Sequence, residues 1–185
     1  MIEIESRARV QNIEAAEKEL EERGAIFLQE KRQIDRVFGH DKFLDENRKI
    51  VEGGLSARIR KVNEQNPRLD FKEIIRESGG IEVSSDLDSI EEGEKFLDKL
   101  GFEEAFTVDK KRRSYKLNGF EICLDVVKKL GKFIEVEKEI NNEEKKEETI
   151  KECRDLLKSI ASDPEFIESK YGDLMQERIN QGKDI

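Results

Sequence analysis

Tryptophan is absent from this 185-residue chain, cysteine and proline occur twice each, and histidine once. Cys123 and Cys153 have no histidine nearby in sequence, which suits neither a zinc site nor a disulfide framework. Both read as small packing residues in a reducing compartment. No apolar run approaches the length of a membrane span, and the charged start is not that of a signal peptide. A cytoplasmic protein with no membrane partner is expected. Basic residues are outnumbered, 35 Lys+Arg against 44 Asp+Glu for a net charge of −9, which argues against a general nucleic-acid binder. Hydrophobic residues make up only 35% and charged residues 43%. Such a balance can mean disorder, but here the apolar residues fall into periodic segments. The reading is a folded chain with an ion-rich surface of the kind seen in heat-adapted proteins.

What is present is a pattern of strands and two capped helices. Residues 2–10 alternate as a strand; Asn12 caps a helix carrying Ile13, Ala16 and Leu20, and Gly24 ends it. Strand-like runs follow at 25–38, 55–62 and 69–75, with a polar loop or long hairpin over 39–54 and a turn around Pro67. The pattern then restarts with a strand at Ile81-Glu82-Val83, a helix through Ile90, Leu97 and Leu100, and Gly101 as its end. Strands are expected again at 105–117, 121–127 and 132–140. The glycines Gly24 and Gly101 stand 77 residues apart, as do Phe38 and Tyr115. This weak internal repeat implies one closed or two-halved β structure of about eight strands with helices outside. An amphipathic helix is expected from about 143 to 162 with Ile150, Cys153, Leu157 and Ile160 inward, and Asp163-Pro164 reads as the start of a shorter helix. One domain over 1–175 and a polar tail over 176–185 complete the expected organisation.

Charge is sorted by strand. Alternation puts Glu3 and Glu5 on one face of the first strand, and Glu135 and Glu137 on one face of a late strand, opposite Ile134 and Val136. Asp125 stands on the polar face of Ile122–Val126. Arg58 and Arg60 share a face opposite Leu55, Ala57 and Ile59, and Lys72 lies opposite Leu69 and Phe71. In the run Asp109–Arg113, either Lys110 with Arg112 or Lys111 with Arg113 can face inward. Such alternation also describes a solvated sheet face laced with ion pairs. Carboxylates for a hard divalent cation together with guanidinium and ammonium groups for phosphate oxygens are what a polyphosphate bound with a metal requires.

The first strand, with Glu3, Glu5 and Arg7, resembles the ExExK signature of the CYTH superfamily, the triphosphate tunnel metalloenzymes. The resemblance continues through Gln33-x-Asp35-x-x-Phe38, Leu55-x-Ala57-Arg58-Ile59-Arg60 and Phe71-Lys72. It is most specific at Val108-x-Lys110-x-Arg112-x-x-Tyr115 and at Leu124-Asp125-x-Val127-x-x-Leu130-Gly131-x-Phe133-x-Glu135-x-Glu137. Ser169-Lys170-Tyr171-x-x-Leu174 is similar to the family's last element, and the late block looks most like the CyaB-type branch, the class IV adenylate cyclases. The resemblance implies an α+β protein: a closed eight-stranded antiparallel β-barrel tunnel with flanking helices, binding a triphosphate with Mg2+ or Mn2+. It implies a metal-binding set of Glu3, Glu5, Asp125, Glu135 and Glu137. The implied triphosphate-binding set is Arg7, Arg58, Arg60, Lys72, Lys110 and Arg112, with Glu135, Glu137 and Lys72 carrying the chemistry. Arg7 departs from the usual Lys, and Gly80 stands where cyclase-like members often carry Arg.

Three functions follow from that resemblance. The first is an adenylate cyclase making cyclic AMP and pyrophosphate from ATP. The alternative is a triphosphatase acting on inorganic triphosphate, thiamine triphosphate or a nucleotide. The third is a non-catalytic polyphosphate-binding module, against which the full acidic set argues. A homodimer is plausible for the branch. His40 reads as an exposed loop residue, and Tyr115 as a packed strand tyrosine that could otherwise stack on a base.

Overall fold

The computed structural model describes residues 2–74 and 82–183. Gly80 and Ile81, and the last residue of the strand expected over 69–75, lie outside the described residues. The chain forms β1 (Ile2–Val10), α1 (Ile13–Glu22), β2 (Ile26–Gly39), β3 (Leu55–Val62), β4 (Arg68–Glu73) and β5 (Glu82–Asp86). It continues with α2 (Ile90–Lys99), β6 (Glu103–Leu117), β7 (Phe120–Val127), β8 (Gly131–Ile140), α3 (Lys146–Ile160), β9 (Glu165–Ile167) and α4 (Tyr171–Asn180). The α+β class and the antiparallel sheet are as expected. Over the described residues the hydrogen-bonded order is β5-β4-β3-β2-β6-β7-β8-β1-β9, nine strands rather than eight. Among the described residues no pairing joins β5 to β9.

The ninth strand corrects the expectation of a helix after Pro164. Phe166 and Ile167 pair with Ala8 and Arg7 on β1, and the helix begins only at Tyr171. Proline suits a first helical turn, but its fixed φ equally suits an extended segment laid on a sheet edge, and here the open edge of β1 decides. The helix then runs through Asn180, so part of the segment expected as a polar tail is ordered secondary structure.

Two compact units divide the chain: Met1–Lys31 with Lys110–Ser169, and Arg32–Asp109 with Lys170–Ile185. In the first, Ile122 and Leu124 of β7 and Ile134 and Val136 of β8 turn one face of the strands toward apolar stripes of the helices. Ile13, Ala16 and Leu20 of α1 and Cys153, Leu157 and Ile160 of α3 complete that core. The side-chain oxygen of Asn12 caps α1 by accepting from the Ala15 N–H at 3.0 Å. Tyr115 belongs to this core, edge-on to Phe27 with ring centroids 5.5 Å apart, and its hydroxyl donates to Glu17.

The second unit has its own core of Phe38, Ala57, Ile59, Leu69, Leu97 and Phe102. Ser89 caps α2 through the Glu92 N–H at 3.1 Å. His40 is half-buried rather than a solvated loop side chain: its ring lies against Phe43 and Phe102, and its Nδ1 accepts from the Lys42 N–H at 3.0 Å.

Candidate metal and polyphosphate site

Strand register places Glu5 and Glu137, which were expected, in one row with Glu121, which was not, and Glu135 in a second row. In the first, Glu121 of β7, Glu137 of β8 and Glu5 of β1 stand directly opposite one another in succession. Like charges in directly opposed positions destabilise a sheet, and Arg7 beside Glu5 and Arg112 beside Glu137 offset part of that repulsion. In the other row Glu135 lies between Cys123 and Arg7. Glu3 is one step along β1, opposite Glu139 and exposed, and its charge adds to the field at Glu137.

The basic residues of this unit hold the buried acids in place. The Arg112 fork donates to both Asp125 oxygens, at 2.7 and 2.6 Å, and also to Glu135. Arg7 reaches three ways: Nε to Glu135 at 2.5 Å, Nη1 to the Ser169 carbonyl at 2.8 Å, and Nη2 to Glu5 at 3.3 Å. Lys110 Nζ is 3.6 Å from Asp125. The ambiguity over 110–113 is thereby resolved. Lys110 and Arg112 face the acids, whereas Arg113 pairs with Glu17 of α1 and Lys111 is exposed. Asp125 is fully buried and Glu135 is 2% exposed, so both depend on these partners.

Electrostatics distinguish the members. Burial, and then the neighbouring Glu135 charge, push the Glu137 carboxyl up to about 7 against the pull of Arg112. Burial disfavours the Arg112 charge, but Asp125 and Glu135 outweigh it and hold the guanidinium firmly protonated.

Two groups among the described residues have ligand atoms within 4.8 Å of one another: Glu5, Glu135 and Glu137, and Glu121, Cys123 and Glu137. The second group mixes the sulfur of the buried Cys123, whose thiol burial pushes up to about 12, with carboxylate oxygens. The first offers only carboxylate oxygens and carries an excess of negative charge, the donor set that suits a hard divalent cation such as Mg2+ or Mn2+.

The second unit holds a charged cluster of its own. Asp35 on β2 lies directly opposite Arg60 on β3, and Arg58 directly opposite Asp70 on β4. Arg60 grips Asp35 with Nε and Nη2, both at 2.7 Å, and Gln33 donates to Asp35 at 2.9 Å. Arg58 grips Asp70 at 3.0 and 2.6 Å, joined by the Ser84 hydroxyl at 2.7 Å and by Arg68 Nε, 2.7 Å from Oδ1. Lys72 lies on β4, opposite Ser56 and Glu82. Burial would raise the Asp70 carboxyl, but Ser84, Arg58 and Arg68 together hold it below the usual aspartate value.

Arg58, Arg60 and Lys72 were expected; Asp35, Asp70 and Arg68 were not. Asp70 shares strand parity with Lys72, and Asp35 belongs to the Gln33-x-Asp35 motif, so each left a trace in the sequence. The partner each would hold was set by register, which spacing along one strand does not give.

The family model for the CYTH domain matches residues 1–169. A protein of Methanocaldococcus jannaschii named "Putative adenylate cyclase MJ0240" is 27% identical over 164 residues, covering 86% of this chain and 90% of the relative. Among solved structures, the PH1012 protein from Pyrococcus horikoshii is 25% identical, with a TM-score of 0.70 over 94% of this chain and 99% of the other. HpAC1 from Hippeastrum, described as a "putative adenylyl cyclase" with "a dominant" triphosphatase activity, is 15% identical. Its TM-score is 0.63 over 100% of this chain and 98% of that one, a likeness of fold.

Proposed function

We propose that this chain, which belongs to the CYTH family, is a metal-dependent enzyme acting on a triphosphate, with ATP cyclisation as its first assigned reaction. The observation that carries the reading is the buried Glu135, held by Arg7 and Arg112 beside Glu5 and Glu137. A solvated sheet face would not bury carboxylates among guanidinium groups in this way.

Glu5, Glu135 and Glu137 would hold Mg2+ or Mn2+, with Asp125 and Glu3 adding negative charge close by. The metal would polarise a phosphoryl oxygen when bound. Arg112 and Arg7 fix the Glu135 carboxylate, and Lys110 stands beside Asp125. Arg58, Arg60 and Lys72 bind phosphate oxygens, the arginines as planar forks and the lysine as a point charge. In cyclisation the ribose 3′-hydroxyl gives its proton to solvent, its oxygen bonds to the α-phosphorus and the bond to the pyrophosphate oxygen breaks; fixed positive charge would stabilise the departing pyrophosphate.

A triphosphatase is the second reading, in which water bonds to a terminal phosphorus, the bond to the bridging oxygen breaks, and orthophosphate forms as the diphosphate part departs and a water proton passes to solvent. The burial of Tyr115 in the apolar core favours it, because that ring is then not available to stack on a base. The name of the M. jannaschii relative supports the first reading, and the activity described for HpAC1 the second.

Purified protein incubated with ATP, inorganic triphosphate or thiamine triphosphate, with Mg2+, Mn2+ or EDTA, separates the two. Metal-dependent cyclic AMP with pyrophosphate supports cyclisation, and phosphate without cyclic AMP supports the triphosphatase. Glu135→Gln is expected to lower turnover by about 100-fold or more while tripolyphosphate still binds. Unchanged turnover in that variant removes Glu135 from the chemistry.

A further inference from the structure

We propose that Asp35 and Asp70 are positioning residues, which hold the Arg60 and Arg58 guanidinium groups in the orientation that binds the substrate's phosphates; this rests on the triphosphate reading above. The argument starts from charge. Four basic residues, Arg58, Arg60, Arg68 and Lys72, lie on two adjacent strands, and register places Arg60 directly opposite Arg68. Like charges in that relation repel, so packing alone would not favour the arrangement. Asp35 and Asp70 offset the repulsion from beneath: they are 7% and 2% exposed, while the arginines remain partly open to solvent.

The geometry of each pair matters more than its charge. A guanidinium carries five N–H groups in a rigid plane. Arg60 spends Nε and one side of Nη2 on Asp35, and among the described residues its Nη1 has no partner within bonding distance. Arg58 spends Nε and Nη2 on one oxygen of Asp70, with Nη2 also 3.4 Å from Glu82 and Nη1 3.8 Å from Asp35. Gripped along one edge, the Arg60 plane keeps its Nη1 for an anion, whereas the Arg58 plane is fixed by Asp70 and flanked by Asp35 and Glu82. Further contacts brace the carboxylates: Gln33 on Asp35, Ser84 and Arg68 on Asp70. A freely rotating arginine would lose several rotamers on binding phosphate; these two have given up that freedom beforehand.

A background charge and a positioning group predict opposite signs for one substitution. Asp35→Asn and Asp70→Asn each remove a negative charge beside an anion site, so charge alone predicts tighter binding. Loss of orientation predicts weaker binding. Titration calorimetry with inorganic tripolyphosphate and Mg2+ reads the sign directly. We expect each variant to bind roughly tenfold more weakly than wild type. Wild-type protein that binds while both variants bind as tightly or more tightly overturns the positioning role and leaves the triphosphate reading intact. Wild-type protein that does not bind tripolyphosphate overturns both. Should the variants fail to fold, nitrogen-15 arginine spectra of the wild type serve alone. Slowly exchanging Nε–H signals for Arg58 and Arg60, retained when tripolyphosphate saturates the protein, support the proposal. Signals that exchange as fast as those of exposed arginines overturn it.

Discussion

A lysine at position 7 would bring a single ammonium to a place where Arg7 makes contacts in three directions. Nε holds Glu135, Nη1 holds the Ser169 carbonyl next to β9, and Nη2 reaches Glu5. The ammonium keeps the charge but has no planar fork, so it cannot meet all three partners at once. Glu135 is buried, and a weakened partner there exposes the cost of an under-compensated charge. Arg7→Lys is therefore expected to lower the free energy of unfolding by about 1–2 kcal/mol in urea titrations. Arg48→Lys, which alters an exposed pair with Asp41 at 3.5 Å, should change it by less than about 0.5 kcal/mol. Equal effects at the two positions would show that the three-way contact of Arg7 adds nothing.

The 77-residue repeat is realised as two equivalent strand–helix–strand units, in which α2 begins at Ile90 as α1 begins at Ile13. Both helices end into a glycine with left-handed φ, +75° at Gly24 and +82° at Gly101, but the surroundings differ. A Cβ at Gly24 would meet nothing within 4 Å, whereas one at Gly101 would lie 3.0 Å from His40 Nε2. Gly24→Ala should cost about 1 kcal/mol for the backbone conformation alone. Gly101→Ala should cost about 1 kcal/mol more, because His40 is held between Phe43 and Phe102 and yields poorly. Chemical denaturation of both variants checks the difference; equal losses would mean that the His40 ring moves freely. Elements like these were legible in the chain because caps, glycine stops and apolar periodicity act over a few residues. Alternation also grouped the acids and bases by face. It could not decide between Lys110 with Arg112 and Lys111 with Arg113, nor show that Asp35 faces Arg60 across 25 positions, because cross-strand register depends on turns and on core packing elsewhere. The β9 segment reads as helix in the sequence for a related reason: three residues after a proline carry no periodicity, and pairing with β1 is a tertiary choice.

At the scale of the whole molecule, acids outnumber bases and those acids do not titrate alike, so stability should respond to pH in two opposed windows. Asp70 and Glu104 are held below their usual values, Asp70 by Ser84, Arg58 and Arg68 against its burial, and Glu104 first by Arg36. A depressed carboxyl contributes stability above its unfolded value, and that contribution is lost as pH falls through the folded one. Stability should therefore drop below about pH 4, where native carboxylates take up protons. Glu137 works in the other direction. Its folded value of about 7 lies above the ordinary 4.5, so its protonated form favours the folded state. That contribution is complete below pH 4.5 and is lost as pH rises through 7, at a cost of up to about 3 kcal/mol. In EDTA, then, the melting temperature of dilute protein should peak near pH 5 and decline toward pH 8. A divalent cation held by Glu5, Glu135 and Glu137 would replace the proton on Glu137 and neutralise the row of glutamates, so Mg2+ or Mn2+ should raise the melting temperature more at pH 8 than at pH 5. Thermal melts across pH with and without metal test both halves. A decline above neutrality that metal leaves unchanged would mean that the cation is held elsewhere, and a flat profile from pH 5 to 8 would mean that Glu137 ionises without strain.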